Sequence, residues 1–146
     1  MPLKDFLSEA EQQKVVAAIG AAELRTSGEI RVHVEPKCKV ADPVARAARV
    51  FDKLGMFATR QRNGVLIYVA YESRKFAIIG DCGINERVPE GFWDAEKDLM
   101  LSYLKENRPA EGICAVVSQI GERLAEFFPW DEDDINEQSD EISFSE

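Results

Sequence analysis

Residues 64–70, Gly64-Val65-Leu66-Ile67-Tyr68-Val69-Ala70, form an unbroken apolar run, and no other stretch restricts the possible folds as tightly. The run is far short of the ~20 residues a helix needs to cross a membrane. As a strand it must be buried on both faces, which demands a layer of structure on each side of a sheet. Tyr71-Glu72-Ser73-Arg74 supplies a short turn, and Lys75–Gly80, with Phe76, Ala77, Ile78 and Ile79, supplies the next strand. The two form a hairpin.

The flanking sequence provides the layers. Ser8-Glu9-Ala10-Glu11 has the S-x-x-E form of a capping box and opens a helix with Val15, Ile19 and Ala22 on its apolar stripe. Residues 29–35 alternate, with Ile30, Val32 and Val34 on one face and Glu29, Arg31, His33 and Glu35 on the other, which predicts a half-buried strand ended by Pro36. Asp42-Pro43 then caps a helix over Val44–Leu54, with Gly55 at its end. Beyond the hairpin, one helix is predicted from about Asp94 to Asn107. A second opens at Pro109, repeats apolar residues at Ile113, Val116, Val117, Ile120 and Leu124, and stops before Pro129. No internal repeat is visible. The order predicts an α/β fold, a small three- to four-stranded mixed sheet with helices packed on it. The first two strands flank a crossover helix and should be parallel; the third must be antiparallel to the second.

A chain of 146 residues fits one domain, and can bury a core without staples. The reading is a folded body over residues 1–130 and an acidic tail, expected to be disordered, over 131–146. Eight of the 27 acids lie in that tail, which has no Lys or Arg, so the body holds 19 acids against 18 bases. With no basic face to neutralise phosphates, nucleic acid is not an expected partner. The start Met1-Pro2-Leu3-Lys4-Asp5 has no apolar leader, and no stretch approaches 18 apolar residues; the expectation is a cytoplasmic protein without a transmembrane segment. Cys38, Cys82 and Cys114 are an odd, widely spaced set, read as reduced thiols.

The predicted topology brings polar residues to one edge of the sheet: Thr26, Ser27 and Glu29 before and at the first strand, Arg60, Arg62 and Asn63 before the second, and Asp81 with Cys82 after the third. The following loop adds Asn85, Glu86 and Asp94 among Gly80, Gly83 and Gly91. Carboxylates with an Asn and backbone carbonyls suit a hard cation such as Ca²⁺ or Mg²⁺, and an arginine can hold a phosphate in its fork. The plainer reading makes Asn63-Gly64 a turn dipeptide, Asp81 a turn cap and Glu29 an exposed strand residue. Other chemistries have less support. His33 is the only histidine and reads as a half-exposed strand residue. No cysteine has an arginine six positions on, as a cysteine phosphatase requires. There is no G-x-x-x-x-G-K-S/T or G-x-G-x-x-G loop, and the tail acids lack the glycine and spacing of an EF-hand.

Thr26-Ser27-Gly28-Glu29-Ile30, then Arg62-Asn63-Gly64-Val65-Leu66-Ile67 and a hairpin into Ile79-Gly80-Asp81-Cys82-Gly83-Ile84, resemble the TPM domain family, also called the TPM phosphatase family, over about residues 8–128. The resemblance implies a small, Rossmann-like α/β sandwich. A plant thylakoid member is described as an acid phosphatase and as calcium-binding, and many bacterial members are secreted or membrane-anchored. By position it points to Glu29, Asn63, Asp81, Glu86 and Asp94. Where many relatives carry Glu directly after the Gly-Leu or Gly-Ile pair this chain has Asn85, with Glu86 next, and its tail is acidic rather than glycine-rich. The expectation is a divalent-cation-dependent phosphatase acting on a phosphorylated small molecule or phosphoprotein. Its metal ligands would be Glu29, Asp81, Glu86 and Asp94 around Ca²⁺ or Mg²⁺, with Asp81, Asn63 and Arg60 (or Arg62) at the phosphate. The alternative is a non-enzymatic ion- or peptide-binding module whose tail recruits a basic protein.

Overall fold

The computed structural model describes residues 2–130 and 142–145. A single-turn helix α1 (Leu3–Phe6), which the sequence does not signal, precedes α2 (Glu9–Glu23). The capping box at its start is formed as expected. The Ser8 N–H donates to Glu11 Oε1 at 2.9 Å, and the Glu11 N–H to Ser8 Oγ at 3.2 Å. Strand β1 (Glu29–Glu35) leads to α3 (Pro43–Lys53), where Val44 N–H donates to Asp42 Oδ1 at 3.0 Å and Pro43 is the first helical residue. The hairpin is β2 (Gly64–Ala70) and β3 (Lys75–Gly80). After it come a single turn α4 (Cys82–Asn85), then α5 (Phe92–Lys105) and α6 (Pro109–Phe127), and finally β4 (Ser143–Phe144).

The sheet order is β3-β2-β1-β4. β1 and β2 are parallel from Glu29↔Gly64 to Glu35↔Ala70, and β2 and β3 are antiparallel, with Val65 opposite Gly80. These pairings are the predicted ones. They place the starts of β1 and β2 and the end of β3 together. β4 adds a fourth, parallel strand through His33↔Ser143 and Val34↔Phe144, and Ser145 N–H donates to Val34 C=O at 3.0 Å. It comes from the segment read as a tail; residues 131–141 lie outside the described ones.

Each face of the sheet has its own core. Ile30, Val32, Val34, Val65, Ile67 and Ile78 belong to a large cluster with α2, α5 and α6. Leu66, Tyr68 and Ala77 belong to a smaller one with Ala47, Val50 and Phe51 of α3 and with Met56. All of β1 except the half-buried Arg31 is buried, which corrects the half-exposed strand read from its alternation. Glu29, His33 and Glu35 are all buried; α3 packs over the neighbouring β2 and β3, and its Arg46 reaches Glu35. Among the described residues no helix is long and apolar enough to cross a membrane.

Candidate functional site

The polar end of the sheet is built by three approaches. Before β1, Thr26 is buried; its hydroxyl donates to Phe128 C=O and accepts from Gly28 N–H at 3.0 Å, and Ser27 N–H donates to Phe128 C=O at 2.9 Å. The end of α6 is thus tied to the start of the sheet. Before β2, Asn63 N–H donates to Thr59 Oγ1 at 3.2 Å, and Asn63 C=O accepts from Glu29 N–H at 3.2 Å. Ser27 Oγ accepts from Gln61 Nε2 at 3.2 Å and from Asn63 Nδ2 at 3.4 Å. After β3, Asp81 caps α4 by accepting from Cys82 N–H at 2.7 Å.

Arg62 joins the second and third approaches. Its guanidinium grips Asp81 in a fork, Nε to Oδ2 at 2.8 Å and Nη2 to Oδ1 at 3.1 Å. The Asp81 carboxylate holds the guanidinium proton more tightly than usual. Arg62 occupies the left-handed region, φ 51°, and its carbonyl accepts from Gly83 N–H at 2.9 Å. Gly83 is needed there: a Cβ on it would lie 2.0 Å from Gln61 C=O. A cleft of about 280 Å³ opens beside this pair, lined by Phe51, Asp52, Phe57 and Ile79 together with Arg62, Asp81, Cys82 and Asn85. Asn85 also donates through Nδ2 to Gly80 C=O at 3.0 Å and accepts from Trp93 Nε1 at 2.9 Å.

Of the residues proposed from sequence, Asp81, Asn63 and Glu29 meet at this end. Asn63 and Glu29 are buried and do not line the cleft. Arg60 is exposed, and it is Arg62 that reaches Asp81. Glu86 is an exposed C-cap of α4. Asp94, in the first turn of α5, lines a separate cleft of about 380 Å³ that shares Asn85 with the first. Among the described residues no group of three His, Cys, Asp or Glu side chains could hold a metal ion. Glu86 stands at the other end of α4 from Asp81, and Asp94 in the first turn of α5.

The sequence model of the TPM domain matches residues 3–123. The chain belongs to the TPM domain family. The NMR structure of the BA42 protein from the psychrophilic bacterium Bizionia argentinensis is similar to this TPM domain at 41% identity and a TM-score of 0.91, covering 99% of each chain. The solution structure of the N-terminal domain of the cg2496 protein from Corynebacterium glutamicum covers 96% of this chain and 80% of its own at a TM-score of 0.65. At 16% identity it speaks for the shared fold alone. No curated protein sequence matches.

This TPM domain carries a second polar cluster at the opposite end of β1, which the sequence reading missed. Glu35 accepts from Arg46 Nε at 2.9 Å and Nη2 at 2.8 Å, and from the Tyr68 hydroxyl. Burial alone would push the Glu35 carboxyl up, but the bonds from Arg46 and Tyr68 outweigh it and hold the group below the ordinary carboxylate value. Burial and the Glu35 bond push the Tyr68 hydroxyl up. His33, read as a surface residue, is 3% exposed, with Nδ1 at 2.8 Å from Ser143 Oγ. Burial brings it down to about 4, with Arg46 adding to the effect and Glu35 opposing it. One sequence signal could have found this cluster. A tyrosine inside a fully buried apolar run needs a partner for its hydroxyl.

Proposed function

We propose that this TPM domain is a binding module that takes an anionic, phosphate- or carboxylate-bearing ligand in the cleft beside Arg62. The Arg62–Asp81 pair carries the reading. Two of the five guanidinium N–H donors are engaged by Asp81, and the arginine side chain is 50% exposed. The remaining donors can receive a bidentate anion. The rings of Phe51 and Phe57, which line the same cleft, suit an apolar body attached to that anion, as in a phosphopeptide or an aryl phosphate. In this reading the acids of 131–146 recruit a basic partner separately.

The second reading is hydrolysis of the bound phosphomonoester, which the family's phosphatase designation favours. Arg62 would position the phosphate and Asp81 would hold Arg62 in place. The described acids offer no cation cage, and no step through a cation is assigned. A residue-resolved NMR titration of the full chain with inorganic phosphate, 4-nitrophenyl phosphate, Ca²⁺ and Mg²⁺ tests both readings. Shifts at Arg62, Asp81, Cys82 and Asn85 that vanish in Arg62→Ala support the binding site; their absence with every anion overturns it. Aryl phosphate turnover above that of a Glu29→Ala, Asp81→Ala double variant adds hydrolysis. Binding without turnover leaves the module reading alone.

A further inference from the structure

The strand that closes the β1 edge of the sheet is lightly held. β4 is only two residues long and pairs with β1 through His33↔Ser143 and Val34↔Phe144, with Ser145 N–H donating to Val34 C=O at 3.0 Å. Ile142, just before it, is half-buried against the larger core, and Phe144 is 39% exposed. So short a strand detaches at little cost to the layers behind it.

Beside it the His33 ring is buried and stacked on Tyr68 of β2, 6.2 Å between centroids. Its Nδ1 lies 2.8 Å from Ser143 Oγ, so a neutral ring and the hydroxyl satisfy each other. Its Nε2 has no hydrogen-bond partner. Glu35 Oε1 is 3.9 Å from that nitrogen and already accepts from Arg46 Nη2 at 2.8 Å. A second proton on the ring would therefore bury a charge and an N–H with no acceptor in reach. The other charged groups facing the ring are Arg31 along β1 and Arg46 and Lys53 from α3, and all three oppose that proton. From β4 the facing group is the Ser143 hydroxyl. With β4 detached, β1 is the last strand of the sheet, and water reaches the ring from that side. We propose that β4 is an acid-released strap. Neutral His33 latches it through Ser143; protonation of His33 frees it and uncovers the β1 edge at Val34 while the rest of the domain stays folded.

The direction of the pH dependence agrees with this geometry. Burial under the closed strap brings His33 from the ordinary 6.5 down to about 4, against the opposing pull of Glu35. Hydration in the open state returns the ring toward 6.5, so the open state takes up a proton that the closed state rejects. Closure from this group is therefore complete above pH 6.5 and is lost as pH falls through about 4.

The test needs no ligand, so its failure is separable from failure of the binding reading. Hydrogen exchange of the full chain is followed by NMR at the Ser145 amide, which closes the strap on Val34, and at the Ile67 amide of β2 as a control for global opening. Protection at Ser145 should fall by about tenfold between pH 7 and 5.2 while protection at Ile67 holds. In His33→Gln, which has no proton to gain, Ser145 protection should stay level. Ser145→Pro, which has no N–H to give Val34, should loosen the strap and move the His33 ring titration from near 4 toward 6.5. If His33→Gln does not fold, Ser145→Pro carries the test. Ser145 protection that ignores pH, that falls equally in His33→Gln or that falls in step with Ile67, or a His33 titration unmoved by Ser145→Pro, overturns the proposal.

Discussion

Two arginine forks close on carboxylates at opposite ends of the same sheet, and their surroundings differ. Arg46 on Glu35 is largely covered, with side chains 16% and 1% exposed, and Glu35 takes a further bond from Tyr68. Arg62 on Asp81 stands half in solvent at 50%, on a left-handed backbone beside a cleft. A buried pair with every partner in place resists change, because removing one member strands the other without water. An exposed pair costs little to open and keeps donors for something else. The same chemical pair thus works as a bolt at one end and as a grip at the other.

The contrast can be broken most forcefully at Glu35. Glu35→Ala should destabilise the domain by about 3–5 kcal/mol in chemical denaturation, since Arg46 and the Tyr68 hydroxyl lose their shared acceptor, while phosphate shifts at the cleft persist in the folded fraction. A small loss would make the buried fork no different from the exposed one. Next in size is acid sensitivity. His33 sits at about 4 against an ordinary 6.5, so its contribution is complete above pH 6.5 and is lost as pH falls through about 4. Denaturation midpoints measured between pH 4 and 7 should fall less steeply in His33→Gln, and parallel curves would remove His33 from the account. The smallest effect on stability belongs to Arg62→Ala. It should leave the melting temperature nearly unchanged yet abolish anion-induced shifts at Asp81 and Asn85. A large drop in melting temperature would turn the grip into a second bolt.

Much of this layout was legible in the sequence. The apolar run at 64–70 and the hairpin to Gly80 have their predicted bounds, because alternation and turn chemistry act locally. The same logic placed Arg62, Asn63 and Asp81 at one edge. It failed where the deciding partner is distant in sequence. Glu35 and His33 read as surface residues because nothing near them reveals Arg46, Tyr68 or Ser143. The choice of Arg62 over Arg60 depends on a left-handed residue that no local rule assigns to arginine. Glu86 and Asp94 read as loop residues after Asp81, whereas Glu86 ends α4, too short to show periodicity, and Asp94 stands in the first turn of α5. β4 escaped because two residues at the end of an acid-rich stretch carry no strand pattern.

The unequal cores on the two faces of the sheet have a consequence for how the native state opens. Lifting α3 exposes only the smaller cluster, whereas separating α2 or α6 from the sheet dismantles the larger one. Of the two layers, the one over the smaller core opens at the lower cost, α3 swinging off as its own cooperative unit, and the Arg46–Glu35 bond opposes that opening. Amide exchange would run faster on the helix that connects the two parallel strands than on α2 or α6, with the rest of the domain still assembled.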